Sequence, residues 1–149
     1  NVKWVPEFTR QYLQNIWDKE KRICQPSDIM RIAYGQMKIE NELAKNSETL
    51  LICDTNIFET MVYSKYYYGG TCDPLLKKYA MLNHYDLYLL TDIDIPWEKD
   101  DLRDKPNERE YSMKIFKDEL EKNNLNYRLI SGTKEKRLKI AIKYINDLI

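Results

Sequence analysis

The chain has 149 residues, the size of one domain and enough to bury a real core. Its 24 Lys and Arg balance 24 Asp and Glu, so the surface as a whole has no net field to draw it to nucleic acid or an anionic membrane. Cys24, Cys53 and Cys72 are odd in number and lack CxxC spacing, and His84 is the only histidine; zinc chemistry and a Ser-His-Asp triad therefore have little to build on, and a reducing, cytoplasmic setting is expected. No run approaches the ~18 apolar residues of a membrane span.

In chain order, the first apolar run is Val2–Val5, followed by Glu7 and then a helical pattern over Thr9–Trp17 with Tyr12, Leu13, Ile16 and Trp17 on one face. Ser27 follows Pro26 and is the expected N-cap of a helix over Ser27–Ala44, where Ile29, Ile32, Ala33, Met37 and Leu43 recur at near-helical spacing. Thr49–Cys53 is the second strand. A helix over Asn56–Tyr68 stops at Gly69-Gly70, and another starts at Asp73. Leu87–Leu90 is the third strand, Glu108–Asn123 a helix, Tyr127–Ile130 the fourth strand and Thr133–Leu148 the last helix.

Strands alternating with helices predict an α/β fold with parallel strands and right-handed crossovers, in one compact unit over 1–149. In such sheets ligands bind beyond the carboxyl ends of the strands, so Glu7, Asp54, Asp92, Asp94 and Ser131 are the first candidates.

"LLICDT", Leu50 to Thr55, is a hydrophobic strand ending in Asp, the Walker B pattern. A carboxylate held rigidly there can bind Mg²⁺ or its waters beside a nucleotide's phosphates. The same residue type also caps helices, and Asp54 or Asn56 can do so for the helix that follows. After the third strand, residues 93–110 carry Trp97, Arg103 and Arg109 among several aspartates. Such a loop suits a lid folding arginines over a transferred phosphoryl group, and equally a solvated loop in which Asp100, Asp101 and Asp104 neutralise Arg103. Glu7 can take a proton from a hydroxyl nucleophile while Arg10 pairs with a phosphate; the alternative is a structural Glu7–Arg10 pair. The tyrosines Tyr63, Tyr66, Tyr67 and Tyr68 fit a core or interface rim better than a base-stacking platform. None of the four glycines, Gly35, Gly69, Gly70 and Gly132, is followed by Lys, so no GxxxxGK[ST] phosphate cradle lies within these residues.

The segments "VPEFTRQYL", "DIMRIAYGQMKIENELA", "LLICDTNIFETMVYSKYYYG", "YDLYLLTDIDIPWEKDDLRD" and "YRLISGTKEKRLKIAI" resemble, in order, the ribosylnicotinamide kinase domain of NadR-type bacterial NAD-biosynthesis proteins, P-loop kinases of an AAA-like class. The resemblance implies a parallel-sheet P-loop kinase-like sandwich with helices on both faces. It further implies transfer of the γ-phosphoryl of ATP, with Mg²⁺, to the 5′-hydroxyl of a nicotinamide riboside-like nucleoside in NAD salvage.

By matching positions, Asp54 corresponds to the Walker B carboxylate, holding Mg²⁺ through water or acting as the base. Arg103 and Arg109 correspond to lid arginines, and Glu7 and Arg10 to the substrate-side wall. Trp4, Tyr34, Gln36 and Trp97 are the remaining candidates for the substrate. The family's first strand and P-loop are expected upstream of Asn1, roughly 30 residues for one strand–loop–helix unit, and these residues alone are expected to be inactive. A fused upstream domain and a homo-oligomer are compatible with the resemblance; no nucleic acid or membrane partner is expected. Two other readings remain open. One is a regulatory ATPase of the same fold; the other is a receiver-like signalling domain phosphorylated on Asp54, with Thr91 and Lys134 as responders.

Overall fold

The computed structural model describes residues 2–149. The chain divides into two compact units, Asn1–Asn83 and His84–Ile149, described in turn.

In the first unit, β1 (Val2–Val5) pairs in parallel with β2 (Leu50–Cys53), Val5 opposite Cys53. Four helices accompany them: α1 (Phe8–Glu20), α2 (Pro26–Ala44), α3 (Ile57–Tyr67) and α4 (Pro74–Leu82). Val5, Ile32, Ala33, Ile57, Phe58, Met61, Val62, Leu76 and Ala80 are each at most 2 % exposed and form the core. Burying a large apolar side chain contributes roughly 1.5–3 kcal/mol, so α2 and α3 anchor the unit. Gly35 sits mid-helix because Phe8 packs against α2 there: a Cβ on Gly35 would lie 2.1 Å from the Phe8 ring.

α2 begins one residue before the expected start. Gln25, not Ser27, is its N-cap, and Asp28 completes a capping box by accepting from the Gln25 backbone N–H at 2.9 Å. Pro26 is the cause, since proline at the first helical position has its φ preset for the helix and lacks the N–H that would go unbonded. The expected caps of the later helices form: the Asn56 side chain accepts from Glu59 N, and the Asp73 side chain accepts from Leu75 N.

In the second unit, β3 (Tyr88–Thr91) pairs in parallel with β4 (Tyr127–Ile130), and α5 (Arg109–Lys122) and α6 (Lys134–Asn146) follow the strands. A short 3₁₀ turn at Pro106–Glu108 leads into α5. β3 starts at Tyr88, whose N–H donates to Asn126 O; Asn126 in turn donates its amide to Asp86 O, holding the preceding residues outside the ladder. The α/β class is as expected, and the strands pair as two two-stranded parallel sheets, β1-β2 and β3-β4. No helix among the described residues is long and apolar enough to cross a membrane.

Candidate functional site

The register of β1 against β2 builds the site. Because Val5 lies opposite Cys53 and Asp54 N donates to Val5 O at 2.9 Å, the two chains leave the sheet side by side, one into Glu7 and the other into Asp54. Parallel strands project both carboxylates past the same edge, the edge where α/β proteins bind ligands. Glu7 precedes α1 with an extended backbone and accepts from Arg10 Nε at 3.3 Å. Asp54 is exposed.

Sequence reasoning missed a third carboxylate, Glu59. It lies in the first turn of α3, where the helix dipole ordinarily favours an anion. Burial nevertheless pushes its carboxyl up to about 8, with Glu7 and then Asp54 adding like-charge repulsion. Glu59 is therefore a neutral acid at pH 7. The signal was present in the Asn56-x-x-Glu59 spacing, which reads as a capping box. The Asn56 half of that box forms, and the Glu59 side chain is left beside the other two acids.

A measurable consequence follows from the sign of this shift. The stabilisation Glu59 brings is fully present below the ordinary carboxyl value of 4.5 and is lost as pH rises through about 8. Melting temperature is expected to fall from pH 5 to pH 9 in the parent protein. Glu59→Gln, which mimics the neutral acid, is expected to flatten that fall; an unchanged slope in thermal melts would show that Glu59 titrates normally.

Behind the carboxylates Gln36 acts as a tie. It is fully buried, its Oε1 accepts from Phe8 N at 3.1 Å, and its Nε2 donates to Glu40 at 3.0 Å and to Thr55 O at 3.4 Å. Proposed from the sequence to touch substrate, its amide is instead spent joining the start of α1 to the loop after β2. Thr55, which follows Asp54, has φ of 64°, a left-handed conformation that a β-branched residue adopts only at a cost of order 1–3 kcal/mol. Its hydroxyl is buried and has no hydrogen-bond partner among the described residues.

Trp4 is 61 % exposed on β1, and Tyr34 is 47 % exposed on α2, edge-on to Tyr79 at 6.1 Å. They make no ring contact with each other, so they do not form a stacking pair.

In the second unit, the 93–110 segment is held by its arginines. Arg103 donates to Glu98 O at 2.9 Å and pairs with Asp100 at 3.4 Å, and Arg109 donates to Ile95 O at 2.6 Å. Trp97 is half-buried. At the strand ends Asp94 accepts from Gly132 N at 2.6 Å and pairs with Arg137, which also donates to Asp92 O. The Gly132 N–H, followed by Arg137, holds the Asp94 carboxyl below the usual range. Asp94 is thus engaged in fixing the loop between β4 and α6.

Parallel strands flanked by helices, with carboxylates at their carboxyl ends, define an α/β fold that binds ligands at that edge. The chain belongs to the AAA domain family, whose model matches residues 1–137. Nucleotide binding and NTPase-type chemistry go with that family. No match was found among curated proteins.

The residues present fit Mg²⁺ in one respect. Mg²⁺ takes hard oxygen donors and commonly uses only one or two carboxylates, the rest being water and phosphate. Asp54 and the partnerless Thr55 hydroxyl are donors of that kind. Among the described residues no cluster of three or more ligating side chains forms a ready-made metal cage. For ATP, the phosphate cradle is not among these 149 residues.

Proposed function

We propose that the chain carries the acceptor side of a nucleoside kinase that moves the γ-phosphoryl of ATP to the 5′-hydroxyl of a nicotinamide riboside-like nucleoside, in NAD salvage in the cytoplasm. The observation that carries this reading is the placement of Glu7 and Asp54 side by side at the ends of two adjacent parallel strands.

Phosphoryl transfer needs little covalent help from the protein; it needs a positioned hydroxyl and fixed charges. Glu7, oriented by Arg10, accepts the hydroxyl proton. Asp54 stands on a rigid strand end and would help hold Mg²⁺, which when bound would supply neutralisation of the charge that develops on the phosphates. With its carboxyl pushed up to about 8, Glu59 adds little negative charge near neutral pH, which limits repulsion of an incoming phosphate. Gln36 holds the two strand-end loops together. On this reading residues 1–149 belong to one kinase-like domain, and Arg103 and Arg109 serve as its lid arginines.

The test is phosphoryl transfer from Mg-ATP by the intact protein across a panel of nucleosides. Acceptor-dependent formation of a 5′-monophosphate is expected, strongest with nicotinamide riboside or a near analogue. Slow hydrolysis with no acceptor dependence would point to a regulatory ATPase instead.

A further inference from the structure

The outward side of α3 has an unusual make-up. Ile57, Phe58, Met61 and Val62 are buried, and the stripe on the other side of the helix is Glu59, Tyr63 and Tyr67, each four residues after the last. Tyr63 is 37 % exposed and Tyr67 is 43 % exposed. The solvent side of a surface helix ordinarily carries charged and polar residues; here two members of the stripe are large rings.

The stripe begins at the strand ends. Asn56 follows Asp54 by two residues and caps α3 by accepting from Glu59 N at 3.0 Å, so the first turn of the helix leaves directly from the edge where Glu7 and Asp54 emerge. Glu7 and Asp54 both act on the Glu59 carboxyl as like charges, which puts that side chain on the strand-end side of α3. Tyr63 shares this side, with its Cα about 6 Å further along the axis at 1.5 Å per residue. Side chains on a helix tilt toward its N-terminus, so the Tyr63 ring lies over the turn that joins it to Glu59, nearer the acids than its own Cα.

The ring is braced from behind. Its centroid is 6.5 Å from that of Tyr66 and 6.3 Å from that of Tyr67, and Tyr66 and Tyr67 stand edge-on to each other at 4.9 Å. Both partners lie C-terminal to Tyr63, so the ring has little rotamer freedom left to lose when something packs on it.

Its reach matches one part of the acceptor. The reacting hydroxyl must come within about 3 Å of Glu7, and in a 5′-hydroxymethyl group the sugar ring starts only two bonds of about 1.5 Å further on. A ring one helical turn from Glu59 meets that sugar; Tyr67, two turns or about 12 Å away, stands too far out. A furanose presents a face of C–H bonds, apolar and slightly positive at hydrogen, which suits the negative face of an aromatic ring.

We propose that Tyr63 positions the phosphoryl acceptor by packing its ring against the C–H face of the acceptor's sugar, which aims the hydroxymethyl group at Glu7 and Asp54. The inference rests on the nucleoside-kinase reading for the reacting group, but sugar binding is measured without phosphoryl transfer. The ring acts, not its hydroxyl, so Tyr63→Phe retains the function. Tyr67, exposed on the same stripe, is the control.

The probe for the sugar alone is methyl β-D-ribofuranoside, titrated into the intact protein by saturation-transfer NMR; turnover is followed with Mg-ATP and nicotinamide riboside. In Tyr63→Ala the ribofuranoside is expected to bind about three- to tenfold more weakly, the scale of one aromatic packing contact. kcat/KM is expected to fall about tenfold or more, with part of the loss in kcat, because the hydroxyl is then aimed less well. Tyr63→Leu, which keeps bulk and suits a helix, is expected to behave like Tyr63→Ala. Tyr63→Phe and Tyr67→Ala are expected to stay within about twofold of the parent in both readouts, and the melting temperature of all four variants to stay near the parent's, as for exposed positions.

Unchanged ribofuranoside binding in Tyr63→Ala and Tyr63→Leu, an equal loss in Tyr63→Phe or in Tyr67→Ala, or no saturation transfer to the ribofuranoside from the parent protein each overturns the proposal. Sugar binding that depends on Tyr63 in a protein that phosphorylates no nucleoside would sink the kinase reading and leave the sugar contact standing. Phosphoryl transfer with parental kinetics in Tyr63→Ala would do the reverse.

Discussion

Asp54→Asn is expected to reduce phosphoryl transfer about 10²–10³-fold, the scale seen when one preorganised electrostatic group is removed from a reacting centre. Stability should stay within about ±0.5 kcal/mol of the parent, as for a surface change away from packing. The side chain is exposed, and the hydrogen bond that fixes its position, Asp54 N to Val5 O, belongs to the backbone and survives the substitution. The loss should appear in kcat more than in the KM of the nucleoside, because the carboxylate acts on charge that grows during transfer. A second readout separates this role from a merely structural one. Asp54 is one of the two like charges that raise the Glu59 carboxyl, so neutralising it should move the Glu59 titration down from about 8. Initial-rate kinetics and a pH series of thermal melts check both; normal turnover in Asp54→Asn would remove the site assignment.

How much of this was legible beforehand depended on the range of the interactions. The strands could be found because four-residue apolar runs between turn residues leave few alternatives, and β1 and β4 match their expected limits. Helix ends were readable where a local side chain decides them, as Asn56, Asp73 and Thr133 do. They were misread at Ser27, where Pro26 and the reciprocal Gln25–Asp28 bonds move the start upstream.

The chemistry was harder, because it depends on register. Asp54 and Glu7 could each be placed at a strand end, but that they leave the sheet as neighbours follows from the pairing of Val5 with Cys53, which composition does not reveal. Glu59 is an ordinary first-turn acid in sequence; what changes its character is desolvation beside two other acids. The internal bonding of Gln36 was hidden for the converse reason. A polar side chain at 0 % exposure must spend its bonds inside the protein, and its two named donations and one acceptance do so.

The largest stability effect is expected at Asp28. This carboxylate is 1 % exposed and accepts from Arg22 at 2.7 and 3.2 Å, from the Tyr12 hydroxyl at 3.2 Å and from Gln25 N at 2.9 Å. It therefore fixes the whole connection between α1 and α2, including the segment whose Cys24 carbonyl positions Tyr68. Asp28→Ala strips three donors of their acceptor at once and is expected to cost about 3 kcal/mol, the low end for breaking a buried ion pair, since Arg22 at 28 % exposure can recover some hydration. The pH dependence has a definite sign. Arg22 holds the Asp28 carboxyl below its ordinary value of 3.8, so its stabilisation is complete above that value and disappears as pH falls through the lowered one. Urea unfolding at pH 7 and at pH 3 should show the gap between parent and Asp28→Ala narrowing in acid. If the network acts through the penalty of an unpaired buried group, then removing both partners in Arg22→Met with Asp28→Leu should recover part of the loss that Asp28→Ala incurs alone. A double variant as unstable as the sum of the singles would mean that the loop is held by something other than this pair.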